Sequence, residues 1–496
     1  DLSPLLFGMH LEWVENGLGL MDPQKPELRA PVVDLLRPLK LPLLRFPGGI
    51  HSDYYDWTIG DGPAASRGTA KNVFNGATEQ ARFGTPEFVS LLRSLGADGL
   101  VTANYGTGTP AMAAAWAQRF AALGVAPKYW EVGNEIYLSS PTATGPNGSA
   151  IYHAPEQYAL DFPAYRQAIR GALPDAKVGA IGYIDTGAFA LAPADSRDWT
   201  TKMLAALTTR ADYLAVHDGY APVILDDSVD FSTDAGRRRA YLALYAGAQQ
   251  TRANLDQTDA ALARLSPANK GIPLAVTEFG PFFGVTQNAE MNKTYVDQTR
   301  TLAAALYVAS VLDALVGDPR VFMACYTNPI HRWYGSLLTD TDGGLVKTPT
   351  YYLYQLYRTR FESKLVATDV VMSPSDPSTQ VGIVKAQPAV PELLAKASVR
   401  PDGKRLSAML VNRGLDRPLS TTIEIKSFAA TKVDCQVLTA ASPAAINGPA
   451  LGKTVVSGGP EIRPQAMPCT ATAANGGTTI ALKVPPSAVV SVVASP

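Results

Sequence analysis

From the N-terminus to about residue 361, short apolar runs alternate with longer segments whose apolar positions recur at the helical period of about 3.6 residues. Eight such runs stand out, at 5–11, 41–47, 100–106, 128–135, 177–182, 213–218, 273–280 and 321–328. Between them, the stretch 109–123 puts Met112, Trp116, Phe120 and Leu123 on one face, with Pro110 in the first turn, where its missing N–H costs nothing. Regular alternation of this kind predicts parallel strands joined by helices. Eight such pairs in one unit predict a closed (β/α)8 TIM barrel rather than an open sheet.

Beyond Phe361 the helical period stops. Strand-like runs at 406–412, 421–425 and 488–493 take over, separated by turn sequences such as Pro401-Asp402-Gly403. The expected organisation is a barrel over 1–361 followed by a C-terminal β-sandwich over 362–496. That matches a 496-residue chain, too long for one ordinary core. Tyr351, Tyr352, Tyr354 and Tyr357 on the last barrel helix are candidates for the seam between the two.

Composition narrows the possible partners. Lys and Arg (43) nearly balance Asp and Glu (44), and no basic run appears, which argues against nucleic acid or an anionic membrane and for a neutral ligand. No apolar stretch reaches the roughly 18 residues that would span a bilayer. The five histidines include no ligand-spaced pair and the cysteines match no metal site, so no metal or other cofactor is expected. Cys435 and Cys469, 34 apart, are equally compatible with a disulfide and with two buried thiols. The first residue is Asp1 rather than Met, as in a processed protein, and the expected location is secreted or periplasmic. Nothing in the sequence fixes an oligomeric state.

In a (β/α)8 barrel the reacting groups come from the C-terminal ends of the strands, so polar residues that close an apolar run are the candidates. They are Glu12, Arg45, Asn104, Asn134, Glu135, His217, Glu278 and Asn328. Glu135 and Glu278 close the fourth and seventh runs, and both should project into the barrel mouth. Two carboxyls about 5–5.5 Å apart are what a retaining glycosidase needs, one attacking the anomeric carbon and one protonating the leaving oxygen. Like-charge repulsion and partial desolvation would keep Glu135 protonated while Glu278 stays ionised. Asn134 is placed to donate to a sugar 2-hydroxyl. Trp57, Trp130, Trp333 and Tyr334 offer rings on which a sugar face can stack, although Trp130 fits the barrel wall equally well.

Several of these residues fall in motifs that resemble a known family. Arg45-Phe46-Pro47-Gly48-Gly49 with Asp53, Tyr55, Trp57 and Gly60 is similar to a signature of glycoside hydrolase family 51, the α-L-arabinofuranosidases. So are Gly106-Thr107-Gly108-Thr109-Pro110, the segment from Tyr129 to Glu135, and Thr348-Pro349-Thr350-Tyr351. Closely related retaining families of clan A share parts of the pattern. The resemblance implies Glu135 as acid/base and Glu278 as nucleophile. It further implies that Glu12 and Arg45 hold sugar hydroxyls or position the carboxylates and that Tyr220, after His217, approaches the nucleophile; with Asn134, His217, Asp53, Trp57, Asn328 and Trp333 these form the expected substrate-binding set. By residue chemistry alone, Glu12 and Arg45 could instead pair with each other. Two departures fall in the implied sugar pocket: Ile50-His51 after the Pro-Gly-Gly turn, and Cys325 three before Asn328.

The resulting expectation is an exo-acting α-L-arabinofuranosidase working on plant cell-wall polysaccharides by double displacement. A β-xylosidase or endo-β-1,4-glucanase on the same barrel is the alternative, and a decayed, merely carbohydrate-binding barrel is disfavoured because both carboxylates are present. Segments 139–153 and 185–198 are where a wall enforcing exo-action would be built.

Overall fold

A computed structural model describes residues 1–138, 151, 153–184, 196–221, 229–284, 288–332, 335–342, 344–474 and 476–496. Eight strands close a parallel barrel: β1 Gly8–His10, β2 Leu43–Phe46, β3 Asp98–Ala103, β4 Tyr129–Val132, β5 Lys177–Ile181, β6 Leu214–Val216, β7 Leu274–Pro281 and β8 Val321–Tyr326. Each pairs with its sequence neighbour, and the ring shuts where β8 meets β1 at Cys325 and Gly8. Helices cover the outside, so a strand such as β7 is buried along its whole length and reads as apolar except at Thr277 and Glu278. Thr109, Thr301 and Thr348 start helices Pro110–Ala122, Leu302–Val316 and Pro349–Arg360, each side-chain oxygen accepting a first-turn backbone N–H.

The loop after β1 is strained. Glu15, Asn16, Gly17 and Leu18 have φ of 52°, 59°, 67° and 57°, a left-handed turn costing about 1–2 kcal/mol at each non-glycine residue. It is fastened to the hairpin of Thr69–Lys71 and Thr78–Gln80, whose Glu79 carboxylate accepts the Glu15 N–H at 2.5 Å.

The C-terminal region is a sandwich of antiparallel strands. A six-stranded sheet, with Leu406–Asn412 and Ala488–Ser495 at its centre, faces a three-stranded sheet of Leu419–Ile425, Gly477–Val484 and Thr470–Ala474. Leu406–Asn412 is buried on both faces because its pleat serves two cores: Leu406, Ala408 and Leu410 fill the sandwich, while Met409 and Val411 join the barrel-side core. Cys435 and Cys469 form a disulfide, which decides between the two states the sequence allowed, and Cys325 is a buried free thiol.

The expected tyrosine seam is divided. Tyr354 and Tyr357 pack on Phe7 on the barrel side, whereas Tyr352 reaches Glu461 in the tail. Much of the junction is carried by Leu302–Val316, a helix buried on almost every side between barrel and sandwich. The backbone carbonyls of Ala445 and Pro443 accept its first amides, Leu302 N and Ala303 N, both at 2.9 Å. Enclosure explains its lack of a polar face.

Candidate active site

Arg45 organises the barrel mouth. Its position in β2 points it into the lumen, where it is completely buried, and its planar fork meets three partners at once. Nε donates to Glu131, Nη1 to Glu278 Oε1 at 2.6 Å, and Nη2 to Asn134 Oδ1 at 2.7 Å. Burial pulls the guanidinium pKa down, but Glu131 and Glu278 outweigh it and hold the charge. Arginine can only donate, so the Asn134 amide is oriented with its oxygen toward Arg45. Its Nδ2 is buried and has no hydrogen-bond partner among the described residues.

Glu278, in β7, is caged from several directions. Besides Arg45, Oε1 accepts Gly49 N at 3.1 Å and lies 3.2 Å from His10 Nδ1, and Oε2 accepts the Tyr220 hydroxyl at 2.7 Å. Burial raises its pKa, yet His10, His217 and Arg45 with the Tyr220 hydrogen bond more than reverse this and hold it far below the usual carboxylate range. The Pro-Gly-Gly turn is explained by this crowding: a Cβ on Gly48 would sit 2.4 Å from the His10 ring, and one on Gly49, at φ 73°, 2.8 Å from the Glu12 carboxylate. Tyr220 is propped from behind, since the buried Tyr307 hydroxyl donates to the carbonyl of Gly219.

Glu135 is different. Its side chain is 23% exposed at the rim, and Oε1 accepts from His217 Nδ1 at 2.8 Å. That nitrogen is also 3.9 Å from Glu278 Oε2. Burial lowers the His217 pKa, but Glu278 and Glu135 prevail and the net displacement is upward. Glu135, His217 and Glu278 offer ligand atoms all within 4.8 Å of one another, so the carboxylates converge on one small space. That cluster has the size of a cation site, but a guanidinium nitrogen 2.6 Å from Glu278 already supplies the positive charge an ion would bring.

Glu12 pairs with His51, not with Arg45. His51 Nε2 accepts the Val73 N–H at 3.2 Å, so its proton lies on Nδ1 and is donated to Glu12. Burial raises the Glu12 pKa, whereas His51 and His10 bring it down to about 2. The departure at His51 therefore supplies the Glu12 partner instead of leaving a gap.

Other expected residues fall elsewhere. Asp53 is buried beneath the mouth, its carboxylate accepting the backbone N–H groups of Asn134 and Glu135. Trp57 is likewise not brought to the carboxylates; it lies parallel to Trp116 and donates to the Met112 carbonyl. Asn104 shapes its own loop through Thr107 and Gly108. Trp130 is core, edge-on to Trp116 and Phe120. Asn328 ends β8 at φ 47°, its buried Oδ1 without a partner among the described residues. Trp333 and Tyr334, and nearly all of 139–153 and 185–198, lie outside the described residues.

Two residues of the site escaped the sequence. His10 closes β1 between Glu278 and Glu12 (Nε2 to Glu12 Oε1, 3.6 Å), and Glu131 is the buried partner of Arg45 and of the Thr102 hydroxyl at 2.7 Å. Glu131 carried a usable signal, a charge in mid-strand on the inward face it shares with Gly133 and Glu135.

Comparison with known proteins agrees with the fold. Residues 279–468 match the α-L-arabinofuranosidase C-terminal domain family. An intracellular exo-α-L-arabinofuranosidase of Bacteroides ovatus is 26% identical over 433 residues, covering 83% of this chain and 77% of its own. The crystal structure of an α-L-arabinofuranosidase from Thermotoga maritima in complex with arabinose superposes with a TM-score of 0.74 at 22% identity, covering 100% of this chain and 97% of its own. A family 51 α-L-arabinofuranosidase from Bifidobacterium longum does so with a TM-score of 0.77 at 20% identity, covering 100% and 96%. The chain is a glycoside hydrolase, and what it is similar to, in sequence and in fold, is the α-L-arabinofuranosidases.

Proposed function

We propose that this chain removes terminal α-L-arabinofuranosyl units from plant cell-wall polysaccharides by double displacement, with Glu278 as nucleophile and Glu135 as acid/base. The observation that carries the reading is the contrast between two carboxylates converging within 4.8 Å: Glu278 held ionised in a cage of donors, Glu135 at the open rim. That spacing suits direct attack better than the roughly 6.5–9.5 Å an inverting enzyme needs for its water.

Glu278 attacks the anomeric carbon as the C1–O bond to the leaving group breaks, and Glu135 gives its proton to the departing oxygen. Glu135 then takes a proton from water, whose oxygen attacks C1 and releases Glu278. The spare Asn134 Nδ2 donor is suited to the sugar 2-hydroxyl and Glu12 to a further hydroxyl, with Asn328 beside them in the sugar site. The named exo-activity of the Bacteroides ovatus relative supports cleavage at chain ends. That relative is intracellular, whereas the Cys435–Cys469 disulfide supports a secreted or periplasmic location for this chain.

The test is a panel of 4-nitrophenyl glycosides. Wild type should turn over the α-L-arabinofuranoside in preference to the β-xylo- and β-glucopyranosides. Glu278→Ala should abolish turnover, and Glu135→Ala should keep glycosylation by activated aryl substrates while losing unactivated ones. Arabinofuranoside turnover unchanged in Glu278→Ala would overturn the mechanism, and preferential pyranoside turnover would overturn the substrate.

A further inference from the structure

The backbone of β4 runs out of partners where the chemistry begins. Its ladder to β3 ends with Val132 opposite Ala103 and a last bond from Gly133 N to the Ala103 carbonyl at 2.9 Å. Gly133, at φ 80°, then lifts the chain off the sheet. The next two amides, Asn134 N and Glu135 N, lie in buried or partly buried surroundings, where an unpaired N–H is costly. Asp53 meets them both: Oδ1 accepts Asn134 N at 3.0 Å, and Oδ2 accepts Asn134 N and Glu135 N at 3.2 Å each.

Asp53 is itself held in place. It lies in the short helical turn Ile50–Tyr54 after β2, only 3% exposed, and its own carbonyl accepts Thr107 N from the loop after β3 at 3.1 Å. Gly106 approaches so closely that a Cβ there would stand 2.3 Å from the Asp53 carbonyl oxygen. One residue thus ties the ends of β2 and β3, through its carbonyl, to the segment that carries Asn134 and Glu135, through its carboxylate.

We propose that Asp53 is a positioning residue for the acid/base, fastening the backbone at Asn134 and Glu135 so that the Glu135 carboxyl meets the leaving-group oxygen, and making no contact with sugar. This rests on the reading of Glu135 as acid/base. Both amides are best served by an ionised Asp53. The charged and titratable groups around it are Glu135 above, Arg45 on β2, Tyr158 and Tyr165 on helix Pro155–Ala172, and Tyr54 on its own turn. Burial raises its pKa to about 7, with the Glu135 charge adding to it and the two amides and Arg45 opposing. The clamp therefore tightens as pH rises through neutrality and slackens below it.

Asp53→Asn and Asp53→Ser, both with retained acceptor oxygens but no charge, are compared with wild type on arabinofuranosides of graded leaving-group ability. Competent sites are counted by a mechanism-based covalent inactivator, so a variant that folds only in part is scored per active site. The expected result is a kcat/KM loss of about 10–100-fold on poor leaving groups and less than about 3-fold on activated aryl ones, part of the roughly 10²–10⁴-fold that acid catalysis provides. KM should hold within about 2-fold, and the pH dependence near neutrality on poor leaving groups should flatten. In a Glu135→Ala background, Asp53→Asn should add little. Equal losses across leaving groups would make Asp53 merely structural, and a raised KM at constant kcat would restore it to the sugar; either overturns the proposal. Should Glu135→Ala alone show no leaving-group dependence, the acid/base assignment fails instead, a result separable from any behaviour of Asp53.

Discussion

Arg45→Lys is a sharp test of the site because it keeps the charge and removes the fork. Wild-type Arg45 serves Glu131, Glu278 and Asn134 from three different nitrogens in one plane. A lysine ammonium is a single compact point that can stay with one carboxylate, leaving the second carboxylate and the Asn134 oxygen without their donor. Hydrogen bonds to charged groups are worth about 1.5–3 kcal/mol and neutral ones about 1, so the loss is about 3 kcal/mol. At 1.36 kcal/mol per tenfold, kcat/KM on a 4-nitrophenyl arabinofuranoside should fall by about 100-fold. A second signature follows from Asn134. Once its oxygen is released the amide can flip, so the preference of the enzyme for the arabinofuranoside over its 2-deoxy analogue should shrink. Steady-state kinetics on the two substrates, with circular dichroism to establish folding, measures both effects. A folded Arg45→Lys variant within about 5-fold of wild type would show that charge alone suffices, and the geometric argument would fail.

Tyr220→Phe removes the hydroxyl 2.7 Å from Glu278 Oε2 and should lower kcat/KM by about 10–100-fold, from the 1.5–3 kcal/mol of one charge-assisted bond. That hydroxyl is one cause of the depressed Glu278 pKa, so the acid limb of the kcat/KM profile should move to higher pH; a limb that stays or moves down counts against the cage. For stability, Glu12 is lowered from 4.5 to about 2 in the fold, so its contribution is present above pH 4.5 and is lost as pH falls toward 2. It amounts to about 3 kcal/mol at 1.36 kcal/mol per pKa unit. Urea unfolding of Glu12→Gln should show a deficit of that order at pH 6 that narrows steadily toward pH 3, and a deficit independent of pH would refute the pairing with His51.

What could be read from the sequence follows from how local each signal is. Barrel strands announce themselves because both faces are buried, and their ends are legible as the places where polarity returns, at Arg45, Glu135 and Glu278. Helix Leu302–Val316 gave no amphipathic pattern because barrel and sandwich cover opposite sides of it, a circumstance no periodicity encodes. His10 was passed over for Glu12, two residues on, although its ring faces Glu278. Asp53 falls in a motif that resembles a family signature, and the motif does not say what its carboxylate touches. Its partners are main-chain amides 81 and 82 residues away, and backbone donors leave no trace in side-chain chemistry.

The way the tail grips Leu302–Val316 limits how this protein can be divided. Cutting after residue 361 would strip the carbonyls of Pro443 and Ala445 from the first amides of that helix and would free Asp297 from Leu451 and Gly452. It would also bare a run apolar enough that, with the adjoining Ala289–Gln298, it has the length and composition of a bent membrane span. A liberated barrel would be sticky, and through Tyr307 and Gly219 the damage would reach the hydroxyl beside Glu278. Barrel and sandwich therefore have to be kept together, and residue 361 is not a place to cut or to fuse.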